Sequence, residues 1–167
     1  MLLLSATPVS KKFTHAGVPE NKRSYSSVWD DSPIGTGHAR STIGSPQGWS
    51  AKTNQPGEWI QFDLGQERTV AGTVIQPRFD VPKYTTEYTV STSLDGKSWT
   101  AVPGKYNGYA LLPSDKQTNK FSNEALVRAR YVRMIVIQWI DHVSLRADVL
   151  IAEGDDGKFI RHEKQSE

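Results

Sequence analysis

The chain has 167 residues, enough for one domain with flanking segments and short for two independent cores. Its composition, 37% hydrophobic and 23% charged, is that of a folded protein and not of a disordered one. Lys and Arg number 20 against 18 acidic residues, a net charge of +2 with no basic run, which argues against nucleic acid as a partner.

Residues 1–24 show little periodicity and read as an irregular lead-in along the edge of the domain. The domain itself is expected over 25–152, with a polar tail over 153–167. Between Trp59 and Leu64 the sequence alternates, with Ile60, Phe62 and Leu64 on one face and Gln61 and Asp63 on the other; Gly65 ends this strand. Val70 to Ile75 is a second strand, closed by Gln76-Pro77. Tyr88 to Ser93 is a third, and Asp95-Gly96 turns it into a return strand over Lys97 to Thr100. Arg130 to Ile137 is the longest strand and reads as central, and Ala147 to Ile151 closes the set. No segment holds a 3.6-residue apolar period beyond a turn or two, so the pattern predicts an all-β sandwich or barrel. Five Trp, six Tyr and five Phe suit a pleated surface. Trp49, Trp59, Trp99, Tyr131 and Arg146 are assigned to the core and its buried polar ties.

Cysteine is absent, which excludes disulfides, thiolate nucleophiles and thiolate metal sites. The first residues carry too short an apolar run for a signal-peptide core, and no Asn-x-Ser/Thr sequon occurs. These features point to the cytoplasm; an extracellular site stays open for a fragment of a longer chain.

Gly48-Trp49-Ser50-Ala51, followed by Gly57 to Gly65 (GEWIQFDLG), resembles the early signature of the discoidin, or coagulation factor 5/8 type C, family. Val74 to Arg78, the Tyr88–Trp99 hairpin, Ala129 to Arg133, and Gln138-Trp139 through Arg146 are similar to its later segments, in order and at the family's spacing. The resemblance implies a jelly-roll-like antiparallel β-sandwich with ligand loops protruding at one end. It also implies a non-catalytic module, since family members bind sugars, phospholipid surfaces, collagen or other proteins. Two features depart from the family. No Cys closes the domain, and Pro77 stands where a Gly commonly precedes the Arg.

The long segments Val28–Trp49, Gln76–Tyr84, Tyr106–Phe121 and Gln138–Ser144 are where such a scaffold carries function. Trp29, with Asp30 and Asp31 behind it, suits a sugar: the ring covers a C–H face while carboxylates accept from hydroxyls. The same Trp suits a membrane interface, or folds back onto its own loop. Gly35-Thr36-Gly37-His38-Ala39-Arg40 lacks the third Gly and the flanking elements of a dinucleotide site. His38 and Arg40 are retained as ligand candidates. Arg78 occupies the place where the family sets an Arg beside the cleft, and its fork suits a diol or a phosphate; the structural alternative is an ion pair with Asp80 or Asp31. Phe79 is a second exposed contact or a loop anchor. His142 can hydrogen-bond a sugar or a head group and would bring pH sensitivity. Tyr106 to Tyr109 is considered as a rim. Asp30 and Asp31 are candidate ligands for a structural calcium ion, without any regular spacing of oxygen donors.

No Gly-x-Ser-x-Gly, His-Glu-x-x-His or phosphate-loop motif occurs, His15 and His162 fall in the tails, and no enzymatic activity is expected. Three binding readings stay open. A lectin-like module for galactose-type glycans ranks first, an intracellular protein–protein adaptor second, and a peripheral phospholipid binder third.

Overall fold

A computed structural model describes residues 12–108 and 114–154. Nine strands follow in chain order: β1 (Phe13–His15), β2 (Arg23–Tyr25), β3 (Trp49–Ser50), β4 (Trp59–Gln76), β5 (Tyr84–Ser93), β6 (Thr100–Asn107), β7 (Gln117–Lys120), β8 (Val127–Ile140) and β9 (Ser144–Ala152). Among the described residues the only helical pieces are three single 3-10 turns. All strand pairs are antiparallel, in the path β1-β9-β4-β8-β5-β6, with β2 and β7 on β4 and β3 on β9.

The two strands expected at 59–64 and 70–75 are halves of one strand, β4. Its first half pairs with β8, Phe62 opposite Val132; its second pairs with β9, Ile75 opposite Ala147. A register shift between Asp63 and Arg68, with Gly65 at φ 79°, turns the chain between the two halves. The halves differ in burial. The first alternates, as an outward-facing strand should, whereas from Val70 every residue is buried, because β9 lies beside it and β7 crosses its other edge. That crossing needs Gly72: a Cβ there would sit 2.1 Å from the Asn119 carbonyl oxygen.

The core gathers Trp49, Ile60, Phe62, Ile75, Tyr88, Phe121, Met134 and Leu145, all essentially inaccessible to water. Burying each such side chain contributes roughly 1.5–3 kcal/mol. Its polar members are satisfied. The Tyr88 hydroxyl meets Thr73 Oγ1 at 2.7 Å and accepts from Asn119 Nδ2 at 2.8 Å, and burial pushes its pKa up to about 12. Arg23 donates to the carbonyls of Val18, Ser41 and Ala147 and lies 4.9 Å over the Phe62 ring.

Several expectations are corrected. The lead-in is not irregular from Phe13 onward, because β1 pairs with β9 and β2 with β4. The return strand starts at Thr100 rather than Lys97, since Asp95 Oδ1 accepts from the amides of Lys97 and Ser98 and keeps both in the turn. Trp59, Trp99 and Tyr131 are half-buried on the outer face and not in the core; Arg133 lies 4.0 Å from the Trp59 ring centroid and 4.1 Å from that of Trp99. Alternation told which residues share a face, not which face is covered. Tyr106 is buried against Tyr88 and Phe121 and makes no rim. Tyr109, the tail beyond Gly154, and His162 lie outside the described residues.

Candidate functional site

Three segments converge at the end of the sandwich where β4 ends and β9 begins. Each is fixed by hydrogen bonds from another part of the chain. The first, after β2, is pinned by Trp49, whose indole N–H donates to the Ser27 carbonyl at 2.8 Å while its ring stacks on Tyr25. Glu58 ties the same loop to residues 52–58. It accepts from Ser26, from Ser27 at 2.7 Å, from Thr53 at 2.8 Å and from Gln55 at 3.3 Å. Burial raises its pKa, yet these hydrogen bonds outweigh burial and hold the carboxyl below its ordinary value. Trp29 to Asp31 form a 3-10 turn with Asp30 at φ 61° and Asp31 at φ 50°, a left-handed pair that Asp tolerates better than most residues. Trp29 is thereby left 45% exposed.

The second segment follows β4. Arg146 Nε donates to the Pro77 carbonyl and Nη1 to that of Ser45, both at 2.8 Å, so a buried guanidinium sets the path of the chain into Arg78. Arg78, 8% exposed, places Nε and Nη2 on the two oxygens of Asp80 and Nη1 on Ser50 Oγ at 3.0 Å and His38 Nδ1 at 3.5 Å. Nη2 makes one hydrogen bond, to Asp80, leaving its second N–H without a protein acceptor among the described residues. The third segment joins β8 to β9. Asn54 brackets it, donating to the Asp141 carbonyl at 3.1 Å and accepting from the Val143 amide at 2.9 Å.

Trp29, His38, Ser50, Arg78, Lys83 and His142 line a cleft of about 190 Å³. Trp29 and His142 meet edge to face, ring centroids 5.4 Å apart at 86°. A carbonyl only accepts, so His142 Nε2, 2.7 Å from the Ala51 oxygen, carries the proton, and Nδ1 of the neutral ring is an acceptor. At His38 the roles reverse. Its Nδ1 accepts from Arg78, leaving Nε2–H as donor; burial of the ring and then the Arg78 charge hold its pKa below the ordinary value. Asp80 is held low by its hydrogen bonds from Arg78.

Four of the residues singled out by sequence, Trp29, His38, Arg78 and His142, thus share one concave surface. The others do not line it. Asp31 accepts from Lys52 at 2.9 Å, Asp30 is exposed, and Arg40 turns to Gln47 at 3.2 Å. Phe79 is 55% exposed at the loop tip, with Arg146 5.7 Å from its ring centroid. Asp31 is spoken for by Lys52, and among the described residues no group of three or more His, Asp or Glu gathers to hold a metal ion. Ser50 and Lys83 were missed. Ser50 stood inside a motif already explained as fold signature, and Lys83 in Val81-Pro82-Lys83-Tyr84 gives no signal beyond lying in the Arg78 loop.

The model of the F5/8 type C domain matches residues 22–149. The chain belongs to the F5/8 type C family. Among curated relatives, pig (Sus scrofa) lactadherin is 34% identical over 110 residues, covering 61% of this chain and 26% of that protein. Pig coagulation factor VIII is 30% identical over 122 residues, 68% of this chain and 6% of that protein. This F5/8 type C chain therefore spans about a quarter of the first relative and 6% of the second. Its fold matches discoidin II from Dictyostelium discoideum (TM-score 0.58, 16% identity, 84% of this chain and 54% of that one). It also matches the family 32 carbohydrate-binding module of Clostridium perfringens NanJ in complex with galactose (TM-score 0.62, 18% identity, 83% and 99%).

Proposed function

We propose that this domain is a non-catalytic glycan-binding module whose ligand enters the cleft between Trp29 and Arg78. One observation carries the reading: an exposed indole, a clamped guanidinium and two imidazoles from distant segments line a single concavity. Its volume, about 190 Å³, is below the roughly 300–1,000 Å³ of pockets for drug-sized ligands and suits one sugar ring. The indole offers a surface for the C–H face of a pyranose, while Arg78 Nη2, His38 Nε2 and His142 Nδ1 supply directional partners for its oxygens. The NanJ module in complex with galactose supports a galactose-type ring. A glycan array followed by calorimetric titration tests the reading. Binding that disappears in Trp29→Ala is expected; silence of folded protein on both the array and galactose would end it.

A second reading, docking on a phospholipid surface, is supported by the joint exposure of Trp29, Ile34 (48%) and Phe79 on the loops flanking the cleft. Sedimentation with vesicles in the absence of sugar, lost when Trp29 and Phe79 are both changed to Ala, is its test.

A further inference from the structure

We infer that the sugar this cleft takes carries a carboxylate, a hexuronate rather than a neutral hexose; the inference rests on the glycan reading above and specifies its substrate class. A site for a neutral sugar needs acceptors as well as donors, because every hydroxyl is both. This cleft is short of acceptors. None of its lining residues is Asp or Glu. Of the carboxylates nearby, Asp80 directs both oxygens to Arg78 and Asp31 directs both to Lys52, while Asp30, exposed beside Trp29, lies outside the lining. Ser50 Oγ accepts from Arg78 and shares a hydrogen bond of 2.7 Å with Ser144 Oγ. His142 Nδ1 is the acceptor left over.

Donors are in surplus. Arg78 offers its second Nη2–H, His38 its Nε2–H, and Lys83 an ammonium with three. Among the described residues Lys83 has no carboxylate partner, in contrast to Lys52 and Arg78 at the same pole. Its backbone N–H donates to the Val81 carbonyl at 2.8 Å, which fixes the turn that carries it to the cleft. A carboxylate is acceptor-only and forms charge-assisted bonds roughly twice as strong as neutral ones. It answers both the surplus of donors and the unpaired cation.

The experiment titrates the full chain with methyl galactopyranoside and with methyl galactopyranosiduronate, the same glycoside with a free carboxylate at C6, at about 50 mM and 300 mM salt. The expected result is a preference for the uronate of about tenfold at low salt, shrinking at high salt. Lys83→Gln should reduce the preference to about twofold, while Lys97→Gln, in the distant Asp95 turn, leaves it unchanged. Equal affinities, or a preference that survives Lys83→Gln, would overturn the inference and leave the glycan reading standing. Binding of neither sugar by folded protein would remove both. Capture by phosphatidylserine vesicles with no response to either sugar would assign the donors to a lipid head group and overturn the inference as well.

Discussion

Asp80 grips Arg78 through both carboxylate oxygens, Nε to Oδ1 at 2.6 Å and Nη2 to Oδ2 at 2.9 Å. The two residues belong to one loop, so the pair spans no part of the core; its effect is to aim the guanidinium. Asp80→Ala strands a nearly buried cation, but the Asp80 side chain is 41% exposed. The expected destabilisation is therefore about 1–2 kcal/mol, between exposed and buried pairs. Glycan affinity should fall at least about tenfold, or ~1.4 kcal/mol. Urea denaturation and calorimetry measure the two separately. Unchanged affinity in a destabilised variant would show that the pair serves the loop alone.

Trp29 gives the opposite signature. Because the residue is 45% exposed and its ring meets His142 edge to face, Trp29→Ala should lower stability by no more than about 1 kcal/mol. The loss of ligand affinity should reach about 1–2 kcal/mol, as for other aromatic contacts at binding surfaces. A larger loss of stability would mean that the indole is packing its own loop.

Gly48 is close to the site in a different way. A Cβ there would lie 3.1 Å from the Leu145 carbonyl oxygen and 3.3 Å from the Arg78 Cβ. Gly48→Ala is expected to push the Arg78 loop outward, costing about 1–3 kcal/mol of stability as overpacking does. Binding should weaken although no ligand contact has been removed. Unchanged affinity in this variant would separate the Arg78 position from ligand recognition.

Acid should loosen the cleft in two steps. His38 has a folded pKa below its ordinary value of about 6.5, so on acidification the unfolded chain takes up the proton first. The stability from keeping this ring neutral is complete above about pH 6.5 and is lost as pH falls through the window beneath. Asp80 and Glu58, also depressed, hold their contributions until pH falls below about 4. Urea midpoints at pH 7.5, 5.5 and 3.5 resolve the steps. His38→Gln should flatten the first and leave the second.

Arg23 tests the core. Arg23→Lys removes the fork that serves three carbonyls, and a single ammonium cannot replace it. A loss of about 3 kcal/mol or more is expected, read as a lower thermal midpoint with the binding end otherwise unaltered.

The sandwich was legible in the sequence because alternation at Trp59–Leu64 and the Asp95-Gly96 turn are local signals. Strands of two to four residues, such as Trp49–Ser50 and Gln117–Lys120, were not, since neighbours alone make them strands. The bend in β4 hid for a related reason: Gly65 reads as a stop, and only the pairing of both halves shows that the chain continues. At the cleft, Trp29, Arg78 and His142 announced themselves as unusual residues in long loops. Lys83 did not, because an exposed lysine in a polar loop is ordinary until its lack of a carboxylate partner is known. The fates of Asp31 and Arg40 depended on Lys52 and Gln47, partners that sequence distance does not reveal.

Every residue of β9 is shielded from water, and the cleft borrows its walls from this one strand: Ser144 braces Ser50, Arg146 steers the chain into Arg78, and His142 lies just upstream. The tip residues that line the cleft, Trp29 and Lys83, make none of these bracing hydrogen bonds. Affinity and selectivity can therefore drift by exchange of tip residues while the frame stays untouched, and amide hydrogens of β9 should be among the last to exchange even in variants that have lost all binding.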